Sequence, residues 1–575
     1  MRDLKPYARH TSGGWMRELL LLAVVFAFPF FLTLGSLPLI DPDEGRYAEI
    51  PREMLERGDL ITPTLNYVKY FEKPPLLYWM NAASIKLFGQ SEFAARFPSA
   101  LCGLLTVLAT YVIARHLYGR RSALLAALIL GTSAGFVMQS RIILTDMLLT
   151  FCLTAALGSF IVATLREGRR SRPLPWYLFY FFSGLAVLAK GLIGMVFPAG
   201  IIFFYLLLGR RWHLLREMRL VTGLMLFCAV TVPWFVAVSL KNPEFAHFFF
   251  IREHFQRFTS TVHGRYQPFW YFVPVLLGTM LPWSFFIIGA LGRAWRDRHH
   301  EEERPGLFLV IWTVLIFLFF SKSSSKLVPY ILPIFPPLAI LIARRFDLVM
   351  DGKGRAIKSA GLLLGVALTV VGGVVLAYGN LPEISRFLGQ QIPSLAAPLD
   401  RFVFFAPRFS LGACLILGGL FLLQGIGALA SAGRNPSRML YILVISAFFL
   451  GIFIPILVMP SIAGSESHRD LALKARSLAG PETALVTVGP MQAVSWYTGR
   501  RVMVTGDLDE LTFGSQQGDQ RAWFPDREAL VSMWGSQRHV LLFIKKNELQ
   551  SLRAQLKPEP VVKAETRRYT LVSNR

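Results

Sequence analysis

Asp41-Pro42-Asp43-Glu44-Gly45-Arg46-Tyr47, and then Glu72-Lys73-Pro74-Pro75-Leu76-Leu77-Tyr78-Trp79, stand between the first two long apolar runs of this chain. Several carboxylates, a lysine and a set of aromatic rings share one loop that abuts apolar runs. That is the composition of a charged site at a membrane surface, and the residue types suit chemistry on a lipid phosphate.

The rest of the chain supplies the membrane. Of 575 residues, 54% are hydrophobic, 13% aromatic and only 17% charged, and the mean hydropathy is +0.47, too apolar for a soluble protein of this length. A formal net charge of +24 would by itself suit nucleic acid. The basic residues, however, come in short clusters between apolar runs, as cytoplasmic loops do, so no nucleic-acid partner is expected. Cys102, Cys152, Cys228 and Cys414 all lie in apolar runs, which leaves no disulfide framework and no zinc-thiolate site.

A spanning length of about 20 residues predicts thirteen helices, near 17–37, 94–114, 122–139, 146–165, 175–190, 191–208, 219–239, 271–292, 306–321, 327–343, 359–378, 409–430 and 438–458. Arg2, Lys5, Arg9 and Arg17 put the N-terminus in the cytoplasm, and every second loop is then basic: 116–121, 166–172, 209–216, 293–304, 344–358 and 434–438. The opposite loops, 38–93, 240–270, 322–326 and 379–408, face outward. Residues 1–458 thus form a membrane domain with outer loops 38–93 and 240–270. Residues 459–575 follow outside as a small α/β domain, with strands expected at 483–488, 501–504, 539–544 and 569–572 and helices at 469–478, 526–534 and 547–556. No Walker or dinucleotide glycine pattern follows a strand.

The candidate catalytic carboxylates are Asp43, its neighbour Glu44, and Asp146, which opens the fourth span on the same side as Asp43. Asp41 to Glu44 also suit the start of a helix over 45–57, so capping accounts for part of their presence. Lys73 beside Tyr70, together with Arg46, Arg257, Lys326 and Tyr330, offers positive and hydrogen-bonding groups for a phosphate. The plainer alternatives are a snorkelling Lys73 and a short hydrated turn at 321–326. His247, His254 and His263 share an outer loop without helical H-x-x-x-H spacing, and histidines in such loops are usually solvated.

These strings, with Arg141 to Asp146, Glu253-His254-Phe255-Gln256-Arg257-Phe258 and Lys326-Leu327-Val328-Pro329-Tyr330, resemble the polyprenyl-phosphate-sugar glycosyltransferases of the GT-C fold. Within that superfamily they are most similar to the lipid A aminoarabinose transferases and their protein-mannosyltransferase-like relatives. The resemblance implies a polytopic α-helical bacterial inner-membrane enzyme with a periplasmic C-terminal α/β domain. Its donor would be a sugar on undecaprenyl phosphate, its acceptor lipid A or another envelope molecule, and its course inversion at the anomeric carbon. It also implies an essential role for the position of Asp43, a supporting one for that of Asp146, a donor-phosphate contact at Lys73, and a divalent metal whose ligands fall, by position, at His254 and Glu510. A protein-hydroxyl acceptor, or a lipid transporter, remains as an alternative reading.

Overall fold

The computed structural model describes residues 14–165, 173–256, 267–352, 357–379 and 409–575, with side chains from 252 to 256 and at 462, 465 and 466 left aside. The membrane part begins with α1 (Trp15–Phe31), α2 (Asp43–Arg57), α3 (Leu76–Phe88), α4 (Glu92–Tyr118), α5 (Arg120–Gly131), α6 (Ala134–Ser140), α7 (Thr145–Ala163), α8 (Pro173–Lys190), α9 (Ile193–Gly209) and α10 (Leu220–Lys241).

Seven helices among the described residues are long and apolar enough to cross a membrane, or nine if two bent pairs each count as one span. α5 and α6 form one such pair, bent by 66°. The other expected spans fall on shorter or interrupted elements: α1, which contains Pro29; α8 and α9, divided at Gly191 with φ +76°; and Phe335–Met350, preceded by a proline-bearing 3-10 stretch, Val328–Ile334. Proline removes a main-chain donor, so apolarity overstates helix length at α1 and before Phe335, whereas the division at Gly191 falls where the sequence reading put it.

Two late helices show how spans pack without water. Lys358–Gly379 lies against Leu411–Ser431 through Gly365, Gly372, Gly418 and Gly425. A Cβ at Gly372 would stand 2.9 Å from the Gly418 carbonyl, and one at Gly425 would stand 2.8 Å from that of Gly365. Backbones meet directly here, the small-residue contact that dispersion favours inside a bilayer.

The C-terminal sheet runs β4-β3-β5-β7-β6, with β3 (Ala484–Val488), β4 (Met503–Thr505) and β5 (Val540–Lys545) parallel, and β6 (Val561–Glu565) and β7 (Tyr569–Ser573) antiparallel. Leu485, Leu541, Phe543 and Leu571 face Leu471, Ala475 and Val494, while Val486, Leu542 and Val572 face Leu530 and Trp534. Helices therefore cover both faces, which is why these strands read as unbroken apolar runs rather than alternating ones.

Between the two parts lies a short hairpin absent from the sequence reading, β1 (Thr64–Leu65) and β2 (Val68–Lys69). Its turn residues Asn66 and Tyr67 both have positive φ, the two-residue arrangement whose twist matches paired strands and which asparagine tolerates well. Asn66 then clamps the C-terminal domain: its amide donates to the Val502 carbonyl at 2.9 Å and its oxygen accepts from the Val502 amide at 3.2 Å.

Candidate active site

Two buried arginines set the frame. Arg141 donates to the carbonyls of Pro29, Phe30 and Leu32, capping the end of α1, where no intrahelical partners remain. Arg96 donates to the carbonyls of Leu34, Leu37 and Pro38 and grips the Glu44 carboxylate at 2.6 and 2.8 Å. Glu44, 1% exposed, also accepts from the backbone amides of Ile40 and Ile143. Its oxygens are fully engaged, and it faces away from its neighbour Asp43.

Asp43 begins α2 without capping it: no side-chain cap bond forms, and the carboxylate pairs with Arg46 one turn on. Its side chain is 43% exposed, whereas Arg46 is 6% and Glu510 8% exposed. Arg46 reaches from Asp43 to Glu510 of the C-terminal domain, and the Tyr70 hydroxyl donates to the same Glu510 oxygen at 2.7 Å. One open carboxylate, one buried guanidinium and one buried carboxylate thus line up, the middle charge shared between both ends.

Asp146 lies buried in the first turn of α7 and pairs with the largely covered Lys190 at the end of α8. The Lys190 ammonium also sits 4.6 Å from the centre of the Tyr330 ring. The two groups converge on Tyr47. Its hydroxyl is held protonated far above the ordinary range, first by burial, against the pull of Arg46, and further by the charges of Asp43, Glu72 and Asp146. Asp43, Arg46, Tyr47, Tyr70, Glu72, Tyr78 and Asp146 therefore share one electrostatic neighbourhood, with the Tyr47 and Tyr78 rings stacked at 6.2 Å.

Lys73 follows at the edge, its ammonium 3.0 Å from the Glu72 carbonyl and 4.0 Å from the Glu72 carboxylate. Lys326 is tethered to the Gln267 carbonyl at 2.8 Å and to that of Ser323, and burial lowers its pKa from the ordinary lysine value. Arg257 and the His254 side chain lie outside the described residues. Among the described residues no group of three or more His, Cys, Asp or Glu side chains is placed to hold a metal ion, and Glu510 is occupied by Arg46 and Tyr70.

The domain junction completes the site from above. Asp41 accepts from the Ala493 amide at 3.0 Å and meets His468 Nδ1 at 2.5 Å. A Cβ at Gly45 would stand 2.0 Å from Asp41 Oδ1 and 2.6 Å from the Ala493 nitrogen, so only glycine permits this approach. Phe513 packs on Phe248 and Phe71, with ring centres at 4.2 and 5.9 Å. Lys190, the central place of Tyr47 within the quoted knot, and the pairing of Asp41 with His468 escaped the sequence reading. Lys190 closes an apolar run and looks there like an interfacial anchor, and nothing local marks the other two.

Comparison with known proteins agrees with this architecture. The dolichyl-phosphate-mannose-protein mannosyltransferase family matches residues 15–249, and the aminoarabinose transferase C-terminal domain family matches residues 471–574. An undecaprenyl phosphate-alpha-4-amino-4-deoxy-L-arabinose arabinosyl transferase of Erwinia tasmaniensis is 35% identical over 412 residues, 70% of this chain and 73% of its own. One from Pectobacterium carotovorum is 31% identical over 96% of this chain and 97% of its own. The crystal structure of ArnT from Cupriavidus metallidurans bound to undecaprenyl phosphate superposes with a TM-score of 0.80 at 29% identity, covering 98% of this chain and 99% of that one. The archaeal oligosaccharyltransferase AglB shares the fold alone, with a TM-score of 0.53 at 14% identity over 95% of this chain and 71% of that one. A match that runs nearly end to end, through both the membrane part and the C-terminal sheet, makes this chain a membrane protein that belongs to the GT-C family of undecaprenyl phosphate-aminoarabinose arabinosyl transferases.

Proposed function

We propose that the chain transfers 4-amino-4-deoxy-L-arabinose from undecaprenyl phosphate to a phosphate of lipid A, at the periplasmic face of the bacterial inner membrane. The observation that carries the reading is the acid cluster around Tyr47, set at the starts of α2 and α7 and roofed by the C-terminal domain. A transporter would be expected to gather its polar groups at mid-span around a repeated bundle. The C-terminal match to aminoarabinose transferases favours the lipid acceptor over a protein hydroxyl.

In this reading an acceptor phosphate oxygen attacks the anomeric carbon from the face opposite the donor. The carbon–oxygen bond to undecaprenyl phosphate breaks, its electron pair leaves with the phosphate, and configuration inverts. An anionic acceptor needs no base. Asp43, the exposed acid, stabilises positive charge developing on the sugar, while Asp146 stays paired with Lys190 and holds the donor side. Lys73 and Arg46 stabilise the departing phosphate, with Tyr70 and Tyr330 as hydrogen-bonding walls. Glu44 holds α2 through Arg96. The test is mass spectrometry of lipid A from cells with and without the gene. Loss of one aminopentose per modified phosphate supports the reading, and an unchanged lipid A with altered protein glycosylation replaces the acceptor.

A further inference from the structure

The sheet end remote from Glu510 carries a cavity that the transfer site leaves unused. β3 and β5 begin there and the antiparallel β7 ends there, so the residues just before β3 and β5 and just after β7 meet around one opening. The cavity measures about 590 Å³, and its wall includes Pro481, Thr483, Arg538, His539, Lys563 and Arg575. That volume lies in the range of small-molecule sites and accommodates a sugar or a short saccharide.

Its side-chain charge is mostly positive. Arg538 donates to the Glu482 carbonyl at 3.3 Å and Arg575 to the Gln537 carbonyl at 3.0 Å, so main-chain oxygens aim these guanidiniums. Arg500 orders the same wall from behind, donating to the carbonyls of Gly480, Pro481 and Thr483. Glu482 is the one acidic side chain lining the cavity, and among the described residues it forms no ion pair with these cations. His539 is fixed between the Thr483 hydroxyl at 3.1 Å and the Ser573 hydroxyl at 3.0 Å. Its pKa lies below the ordinary histidine value, first through burial and then through Arg575 and Lys563, two cations that line the same opening. Aimed cations with hydroxyl and apolar neighbours fit a ring with an anionic substituent better than a bare ion.

We propose that this cavity is a second binding site, specific for an acidic sugar, in which Arg538, Lys563 and Arg575 receive a phosphate monoester or carboxylate carried on a saccharide. The sugar arrives either free or as part of an acceptor lipid's saccharide head.

The experiment uses the full-length protein in detergent micelles, with glucose 6-phosphate as probe and glucose as the neutral control, followed by saturation-transfer NMR. Saturable binding of glucose 6-phosphate is expected, with glucose at least tenfold weaker. An Arg538→Gln/Lys563→Gln variant should bind at least tenfold more weakly while keeping the wild-type melting temperature, about a tenfold loss being the least expected from removing charge-assisted contacts. Absence of saturable binding, equal binding of the two sugars, or unchanged binding by a folded variant overturns the proposal. A kinetic arm, which rests on the transfer reading, then separates the sources using acceptors with and without attached acidic sugars. A KM raised only for the decorated acceptor places the acidic sugar on the lipid. Equal KM values, with the binding result standing, assign the site to a free sugar. The binding arm decides the site even where no transfer is detected.

Discussion

Arg46 and Glu510 lie 464 positions apart and meet as a buried ion pair, with side chains 6% and 8% exposed. The same arginine reaches Asp43 on the open side, so the C-terminal domain helps to set the charge around Asp43. Glu510→Gln keeps the shape but leaves Arg46 with one carboxylate. Transfer should fall about 10- to 100-fold with donor binding less affected, the cost of removing one of the two carboxylates that hold Arg46 in place beside Asp43. Steady-state kinetics of the purified variant decide this, and wild-type turnover would detach the domain from the chemistry.

Gly45→Ala tests the junction itself. The added methyl meets Asp41 and the Ala493 backbone, so the domains must separate or α2 must shift, at about 1–3 kcal/mol for overpacking. Faster proteolysis between residues 459 and 467 is the expected readout. Equal resistance in variant and wild type would show that the contact yields without opening.

The Asp146–Lys190 pair calls for a double-mutant cycle. Each single change, Asp146→Asn or Lys190→Met, leaves one buried charge unpaired and should cost about 3–5 kcal/mol. The double variant should recover much of the stability but not the activity. Additive losses in thermal melts would mean that the two side chains do not act as a pair.

Glu53 supplies a pH dependence. Burial, and then the charge of Glu49 one turn away on α2, push it up to about 8, against about 4.3 in an unfolded chain. The folded protein keeps a proton that the unfolded chain has released, so the stabilising contribution is full below about pH 4.3 and is lost as pH rises toward 8. Wild-type melting temperature should fall from pH 5 to pH 8. Glu53→Gln should flatten that slope and melt higher than wild type at pH 8, and a parallel slope in the variant would reassign the titration.

Much of this was legible in the chain. The Asp41–Tyr47 knot, the Glu72–Tyr78 string, Asp146 and Tyr330 stand out because charge beside apolar runs is costly and therefore conspicuous. Four of the five C-terminal strands were visible as apolar runs. β6 was not, because it is an edge strand with Val561 and Val562 exposed and charged residues among them. Partnerships were not legible. Nothing near Glu44 names Arg96, 52 positions on, and nothing near Asp41 names His468, 427 positions on. Such pairs depend on how the chain folds back, and local pattern carries no record of that. Around Pro329 and Pro333 a 3-10 stretch, Val328–Ile334, takes the first part of the span expected over 327–343, and apolarity alone did not show that change.

The central claim is that Asp43 acts on the sugar as it leaves undecaprenyl phosphate. The most direct measurement is single-turnover transfer by purified wild type and Asp43→Asn, with donor binding followed in the same samples. The expected variant is folded, binds donor within a few-fold of wild type and transfers at least about 100-fold more slowly, the scale of a lost electrostatic group at the reacting centre. Transfer at the wild-type rate by Asp43→Asn would contradict that claim.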